Sequence, residues 1–148
     1  MRIRRLSGSD ELDTAIQLLQ RFFRAEGFDT PDAVIAQNTR VMASLDDCAI
    51  LIAEVAAEMV GIATLSMEFG IEYGWSAEMG DLYIVPEWRG KGVARQLLLA
   101  AEEILGRRGA KGYQVTVTPF AEEHHDLKAF YAKLGFASQG RVLMWNAL

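Results

Sequence analysis

The sequence predicts an α/β domain with a mixed, partly antiparallel sheet. Apolar β-rich runs and stretches with helical spacing alternate in the order β-α-α-β-β-β-α-β-α-β-β. Two of the predicted strands are joined by a short turn, whereas later strands are separated by helices, and this combination gives a sheet with both pairing directions. At 148 residues the chain is long enough for one domain with a sizeable core, predicted to cover residues 1–148.

The first part of the chain predicts a short strand at residues 3–6 and a helix at 11–26. The apolar residues of that helix recur every three or four positions. Thr30 and Pro31 look like an N-cap followed by proline at the first helical position, and the second helix is predicted to run to about Ser44. The residues expected to face inward on this helix are Val34, Val41 and Leu45.

Residues 48–55 and 60–67 predict an antiparallel hairpin joined by residues 56–59. A turn is expected at residues 69–76, which contain two glycines and several aromatic residues. The remaining predicted elements are a strand at 77–85, a helix at 93–107, a strand at 113–118, a helix at 125–134, and last strands at 136–138 and 142–146.

A glycine-containing loop joins the strand at 77–85 to the next helix. It contains Arg89, Gly90, Lys91 and Gly92. Glycines let the backbone turn its N–H groups outward, and a helix start adds a partial positive charge, so this loop can receive a phosphate or pyrophosphate. An ordinary β–loop–α turn is the alternative. Neither a Walker loop nor a dinucleotide fingerprint fits the spacing.

Two motifs resemble those of the GNAT N-acetyltransferases. Arg89-x-x-Gly92-x-Ala94, directly after a strand, resembles the [RQ]xxGx[GA] acetyl-CoA signature of that family. Residues 130–136, FYAKLGF, resemble its FYxKLGF helix end. The resemblance is clear over residues 50–148 and weak over the first 45 residues.

The resemblance implies the GNAT fold: a mixed sheet of six to seven strands with about four helices. It also implies that two central parallel strands, here 77–85 and 113–118, splay apart to admit the pantetheine of acetyl-CoA. Acetyl-CoA is therefore the expected co-substrate. The residues matched to its contacts are Leu82, Tyr83, Ile84, Val85, Arg89, Gly90, Lys91, Gly92, Val93, Ala94, Arg95, His124 and Tyr131.

His124 departs from the family pattern, because many members have an asparagine seven residues before the matched tyrosine. Histidine can donate a hydrogen bond there, but the departure leaves this contact open. The run His124-His125-Asp126 does not predict a metal site, since adjacent residues diverge on a helix and the chain has no other histidine. No metal is expected.

Acetyl transfer needs an acceptor for the amine proton and a donor for the leaving thiolate. Glu78 is the first candidate base, because it lies eleven residues before Arg89, the spacing seen in family members. Strand alternation places Glu78 on the face of Leu82 and Asp81 on the opposite face, although the bulge usual in this family would shift that pattern. Asp81 and a water chain are the alternatives. Tyr131 matches the tyrosine that the family uses as general acid, and the N–H of Leu82 or Tyr83 would polarise the thioester carbonyl.

Charge is distributed unevenly along the chain. Residues 26–87 contain twelve acidic residues and one basic residue, a net charge of −11, whereas residues 89–111 contain six basic and two acidic residues. This contrast suits an anionic co-substrate and a small cationic amine, aminoglycoside-like or polyamine-like, and disfavours nucleic acid. The alternative interpretation is that the acidic residues are scattered over the surface and serve only solubility. The candidate acceptor contacts are Phe28, Glu72, Tyr73 and Trp75, with Phe22 and Asp29 beside them.

Two other functions stay open: acetylation of a protein or peptide, and a non-catalytic acetyl-CoA-binding module. The single cysteine, Cys48, indicates a reducing compartment, and neither a signal-peptide pattern nor a long apolar run is present, so a cytoplasmic protein without membrane contact is expected. The resemblance also suggests a homodimer, with the C-terminal stretch around Trp145 as a candidate interface.

Overall fold

A computed structural model describes residues 1–148, which divide into two compact units, 1–116 and 117–148. The α/β class is confirmed, but the sheet has five strands instead of six or seven, and there are five α-helices instead of about four. The elements of the first unit are β1 (Arg2–Leu6), α1 (Asp13–Ala25), α2 (Asp32–Ser44), β2 (Cys48–Val55), β3 (Glu58–Gly70), β4 (Gly74–Ile84), a 3-10 turn (Pro86–Trp88), α3 (Val93–Arg107) and β5 (Tyr113–Val115). No helix combines the length and the hydropathy that a membrane span requires.

The sheet has the order β1-β2-β3-β4-β5. The first three pairings are antiparallel, and β4 pairs with β5 in parallel through the α3 crossover. The parallel ladder is short, because it joins only Ala77–Met79 to Tyr113–Val115. Beyond it, β4 continues through residues 80–84 with β3 on one edge and no strand on the other.

The turn between β2 and β3 is tighter than the predicted four residues. Val55 pairs with Glu58, so only Ala56 and Ala57 form the loop. Both alanines have positive φ, +50° and +67°, the backbone of a type I′ hairpin turn. This turn type matches the twist of the flanking strands, which explains its use here although neither residue is glycine or asparagine.

Helices cover both faces of the sheet. Helix α3 packs so closely on β3 that a Cβ at Gly61 would lie 3.1 Å from Val93 Cγ1 and 3.3 Å from Leu97 Cδ1; the same Cβ would lie 2.8 Å from Ile84 Cδ1 of the neighbouring β4. Helix α1 lies on the opposite face, where the Phe22 ring is 5.3 Å from the Tyr83 ring. The largest fully buried side chains belong mainly to β2, β3 and α3 and are Leu6, Ile50, Leu51, Ile52, Val60, Ile62, Leu65, Val93 and Leu97.

The predicted inward face of α2 is wrong. Val34, Val41 and Leu45 are exposed, and the buried residues are Ile35, Thr39 and Ala43, four positions apart on one stripe of the helix. Burial of Thr39 is tolerated because its hydroxyl donates to the Ile35 carbonyl at 2.7 Å.

The second unit contains α4 (Pro119–His125) and α5 (Leu127–Lys133), separated by Asp126 at φ +49°. Helix α4 was not predicted, and the strand expected at 113–118 ends at Val115, with residues 116–118 in neither a strand nor a helix. Thr118 caps α4, since its hydroxyl accepts from the Ala121 N–H at 3.2 Å. After Gly135 the chain forms no helix or strand, so the strands predicted at 136–138 and 142–146 are wrong. Alternating apolar residues fit a strand, but a strand also needs a partner for its ladder.

Candidate functional site

The loop before α3 has the backbone of an anion receptor. Gly90 and Gly92 have φ of +71° and +79°, and a Cβ at either position would meet nothing within 4 Å. These glycines are therefore required for backbone conformation and not for space. Gly92 is the N-cap of the fifteen-residue α3, and no side chain caps that end. The N–H groups of the first turn of α3 are left to bind an external acceptor.

Cationic side chains flank this loop. Arg89 Nε donates to the Ile84 carbonyl at 3.0 Å, and its guanidinium lies 5.7 Å from the Tyr83 ring centre. Lys91 Nζ lies 4.8 Å from the Trp88 ring centre. Arg95, in the first turn of α3, is exposed. The loop thus combines backbone donors with three cations, as a phosphate-rich ligand requires.

The open edge of β4 presents main-chain groups of defined residues. Val85 N–H donates to the Val60 carbonyl at 3.0 Å, so the main-chain groups of Val85 and Tyr83 point toward β3. Those of Leu82 and Ile84 consequently point toward the open edge, where Arg89 contacts the Ile84 carbonyl. Of the two N–H groups suggested by the sequence, Leu82 is the one available at this edge.

A bulge in β4 brings the two candidate bases to one face. Thr64 pairs with Asp81 and Leu65 with Met79, which leaves Gly80 as the extra residue. Glu78 and Asp81 therefore lie on the same face of β4, together with Tyr83. Simple alternation put them on opposite faces and is wrong at this point. We refer to this side, with Glu78, Asp81 and Tyr83, as the carboxylate face.

Asp81 is held by a buried partner. The Thr64 hydroxyl donates to Asp81 Oδ2 at 2.6 Å, and Thr64 is only 3% exposed. Burial raises the pKa of the Asp81 carboxyl, the Thr64 hydrogen bond lowers it, and the negative charge of Glu78 raises it; burial dominates. Glu78 is half-buried and accepts from the Thr116 hydroxyl at 3.3 Å. Thr64 is a site residue that sequence reasoning missed, because nothing in the sequence marks its pairing with Asp81.

The aromatic candidates separate into two groups. The Phe22 ring contacts Tyr83 on the carboxylate face, and Phe28 lies 6.5 Å from Phe22. Trp75 lies on the other face of β4, with the Arg108 guanidinium 5.7 Å from its ring. The structure thus places Phe22 and Phe28 beside the carboxylate face and does not bring Trp75 there. Glu72 and Tyr73 are exposed in the β3–β4 turn, and Asp29 is exposed after Phe28.

The remaining candidates belong to the second unit. Tyr131 is 8% exposed, with the rings of Phe130 and Phe136 at 5.1 and 5.2 Å. Burial raises the pKa of its hydroxyl to about 12, so the phenol keeps its proton at neutral pH. His124 Nδ1 donates to the Phe120 carbonyl at 2.8 Å, and its ring stacks on Phe120 with centroids 4.0 Å apart. Only Nε2 of His124 is left for another partner.

Comparison with known proteins gives concordant matches. The model of the acetyltransferase (GNAT) family matches residues 12–136. An aminoalkylphosphonate N-acetyltransferase from Salmonella typhimurium is 31% identical over 80 residues, which are 53% of this chain and 50% of that protein. The chain spans about half the length of the curated relatives it matches.

Solved structures share the fold at low identity. An aminoglycoside N-acetyltransferase in complex with CoA superposes with a TM-score of 0.82 at 19% identity, over 99% of this chain and 93% of that chain. A ribosomal-protein-alanine N-acetyltransferase from Brucella melitensis superposes with a TM-score of 0.80 at 18% identity, over 99% and 100% of the two chains.

Proposed function

This chain belongs to the acetyltransferase (GNAT) family, and from that membership we propose that it transfers an acetyl group from acetyl-CoA to a primary amine. One observation supports this function above the others: the left-handed Gly92 directly before the uncapped start of α3, flanked by Arg89 and Lys91. Such a loop fits the pyrophosphate of CoA, because it offers backbone donors and cations together.

The residues that would hold acetyl-CoA lie on the loop and on β4. Gly90, Gly92 and the first turn of α3 supply N–H donors to phosphate oxygens, and Arg89 and Lys91 supply positive charge. One edge of β4 is hydrogen-bonded to β3. The open edge would bind the extended pantetheine arm through strand-like main-chain hydrogen bonds. Bound acetyl-CoA supplies the thioester whose acyl group is transferred.

On the protein side, the proposed mechanism needs a hydrogen-bond donor to the thioester carbonyl, a proton acceptor and a proton donor. The Leu82 N–H at the open edge would donate to the thioester carbonyl and stabilise negative charge on its oxygen. Glu78 is our first choice to accept the amine proton as the nitrogen–carbon bond forms, with Asp81 as the alternative, since both lie on the carboxylate face. Tyr131, protonated at neutral pH, would donate to the sulfur as the carbon–sulfur bond breaks.

The proposed acceptor is a small cationic amine, such as an aminoglycoside or a polyamine. The acidic segment 26–87 and the paired carboxylates Glu78 and Asp81 support this choice. A protein N-terminus is the second candidate, which the likeness to a ribosomal-protein-alanine N-acetyltransferase keeps open at the level of fold. A cytoplasmic location and a homodimer stay predictions.

The test is acetyl-CoA-dependent release of free CoA over a panel of polyamines, aminoglycosides and N-terminal peptides. Wild type is compared with Tyr131→Phe and with the matched control Tyr113→Phe, whose hydroxyl donates to Glu102 at 3.0 Å on the surface. We expect Tyr131→Phe to lower kcat by about 100-fold at unchanged affinity for acetyl-CoA, and Tyr113→Phe to leave kcat unchanged. Turnover on peptides alone would show that the acceptor is a protein or peptide amine and not a small cationic amine. Binding of acetyl-CoA without turnover on any acceptor would favour the non-catalytic module.

A further inference from the structure

An aromatic wall lies beside the carboxylate face. It consists of Phe22, Phe28 and Tyr83: the Phe22 ring is 5.3 Å from Tyr83 and 6.5 Å from Phe28. Tyr83 is buried and Phe22 half-buried, whereas Phe28 is 42% exposed. The rings are supported from behind by Phe23, which is 5.2 Å from Phe28. The wall thus extends from the sheet to an exposed aromatic surface.

The wall is close to the proposed proton acceptors. Tyr83 and Asp81 are two residues apart on the same face of β4, which separates their Cα atoms by about 7 Å. Phe22 reaches this face from α1 and covers the Tyr83 ring. An amine nitrogen that meets Glu78 or Asp81 therefore has its carbon skeleton within reach of these rings.

The chemistry of the wall selects among amines. The phenyl rings of Phe22 and Phe28 offer apolar surface for methylene groups and an electron-rich face for ammonium groups, but no hydrogen bonds. The hydroxyl groups of an amino sugar would lose water there without gaining partners. The Arg89 guanidinium, 5.7 Å from Tyr83, adds positive charge at the loop end of the wall, so a second ammonium would be favoured only at the Phe28 end.

We propose that Phe22 and Phe28 select linear alkylamines, of the diamine or polyamine class, over amines whose skeleton carries polar oxygen atoms, which include polyhydroxylated amino sugars. The inference rests on the proposed acetyl transfer at the carboxylate face, and it names the acceptor class that this face would take. Phe28 contributes most to discrimination, because it is the exposed ring of the wall.

The test compares two acceptors of equal length and charge: a diamine with an all-methylene chain and its analogue with one ether oxygen in the chain. Binding of each is measured by calorimetry in the presence of CoA, and kcat/KM is measured with acetyl-CoA. The variants are Phe28→Ala and the control Leu99→Ala, which removes an equally exposed apolar side chain (45% against 42%) from α3 on the other side of the sheet.

Wild type and Leu99→Ala are expected to bind the all-methylene diamine about tenfold more tightly than its ether analogue, and Phe28→Ala to lose this preference. The same pattern is expected in kcat/KM. Equal binding of both diamines to wild type, or an unchanged preference in Phe28→Ala, would overturn the inference. Absence of turnover with every amine would instead refute the proposed function, and the binding comparison would still decide whether the wall selects alkyl chains.

Discussion

Replacing Thr64 with valine is expected to destabilise the protein in a way that depends on pH. Valine keeps the shape of the buried side chain and removes the hydroxyl that donates to Asp81 Oδ2 at 2.6 Å. A hydrogen bond to an ionised group contributes about 1.5–3 kcal/mol, and a neutral one about 1 kcal/mol. We therefore expect Thr64→Val to lower the free energy of unfolding by about 2 kcal/mol at neutral pH.

The sign of the pH dependence follows from the Asp81 carboxyl. Burial raises its folded-state pKa above the unfolded value near 3.8, so its contribution to stability is fully present below pH 3.8 and is lost as pH rises through the folded pKa. The hydrogen bond from Thr64 lowers the Asp81 pKa. Removal of that hydrogen bond in Thr64→Val therefore raises the Asp81 pKa further. The destabilisation caused by Thr64→Val must therefore be larger at neutral pH than at acid pH, where Asp81 is protonated in both states.

Urea unfolding of wild type and Thr64→Val at neutral pH and near pH 3, below the unfolded-state pKa of Asp81, measures this difference. Thr39→Val is the matched control, because Thr39 is also buried but donates to a backbone carbonyl at 2.7 Å, which does not titrate. The decrease in the free energy of unfolding caused by Thr39→Val should be the same at both pH values. In an Asp81→Asn background the cost of Thr64→Val should fall to about 1 kcal/mol. A cost that is equal at both pH values and in both backgrounds would refute the reasoning.

Three other changes test the packing and the loop. Gly61→Ala should lower the free energy of unfolding by about 1–3 kcal/mol in urea, since its methyl would lie 2.8 Å from Ile84 Cδ1 on β4 and 3.1 Å from Val93 Cγ1 on α3; full stability would mean that these side chains can move aside. Gly92→Ala should cost about 1 kcal/mol because of its φ of +79°, whereas Gly106→Ala, inside the last turn of α3, should stabilise by about 0.5–1 kcal/mol; equal effects would contradict the strain argument. Arg89→Ala should raise the Kd for acetyl-CoA, measured by calorimetry, about tenfold, whereas Arg107→Ala should leave it unchanged. A larger increase in Kd for Arg107→Ala than for Arg89→Ala would exclude the loop as the phosphate site.

Local patterns in the sequence were enough to predict the bounds of elements that have a continuous apolar run or a regular apolar stripe. Residues 48–55 and 93–107 were predicted with the bounds that the structure gives to β2 and α3. The stripe of α3 packs on the sheet, and the run of β2 is buried on consecutive residues, with α2 and α3 in contact with the strand. The left-handed glycine before α3 was also foreseeable, because a tight β–loop–α turn needs positive φ.

What the sequence could not reveal depends on relations between distant residues. The bulge at Gly80 follows from the register against β3, and without it Glu78 and Asp81 would lie on opposite faces. Thr64 joins the site only through that register. The strand expected at 142–146 failed for a similar reason, since pairing needs a neighbour that no local pattern supplies, and Trp145 is 88% exposed. Helix α4 could have been found, because Thr118-Pro119 repeats the Thr-Pro pattern read before α2.

The Ala56–Ala57 turn has a consequence for engineering this protein. Each alanine occupies a left-handed backbone that disfavours a side chain by about 1 kcal/mol or more, and the turn is remote in sequence from β4 and from the loop before α3. Asn-Gly is the pair that type I′ turns prefer. Installing it first would widen the stability margin of the scaffold, so that destabilising changes to the acceptor-facing residues could be screened without losing the folded protein.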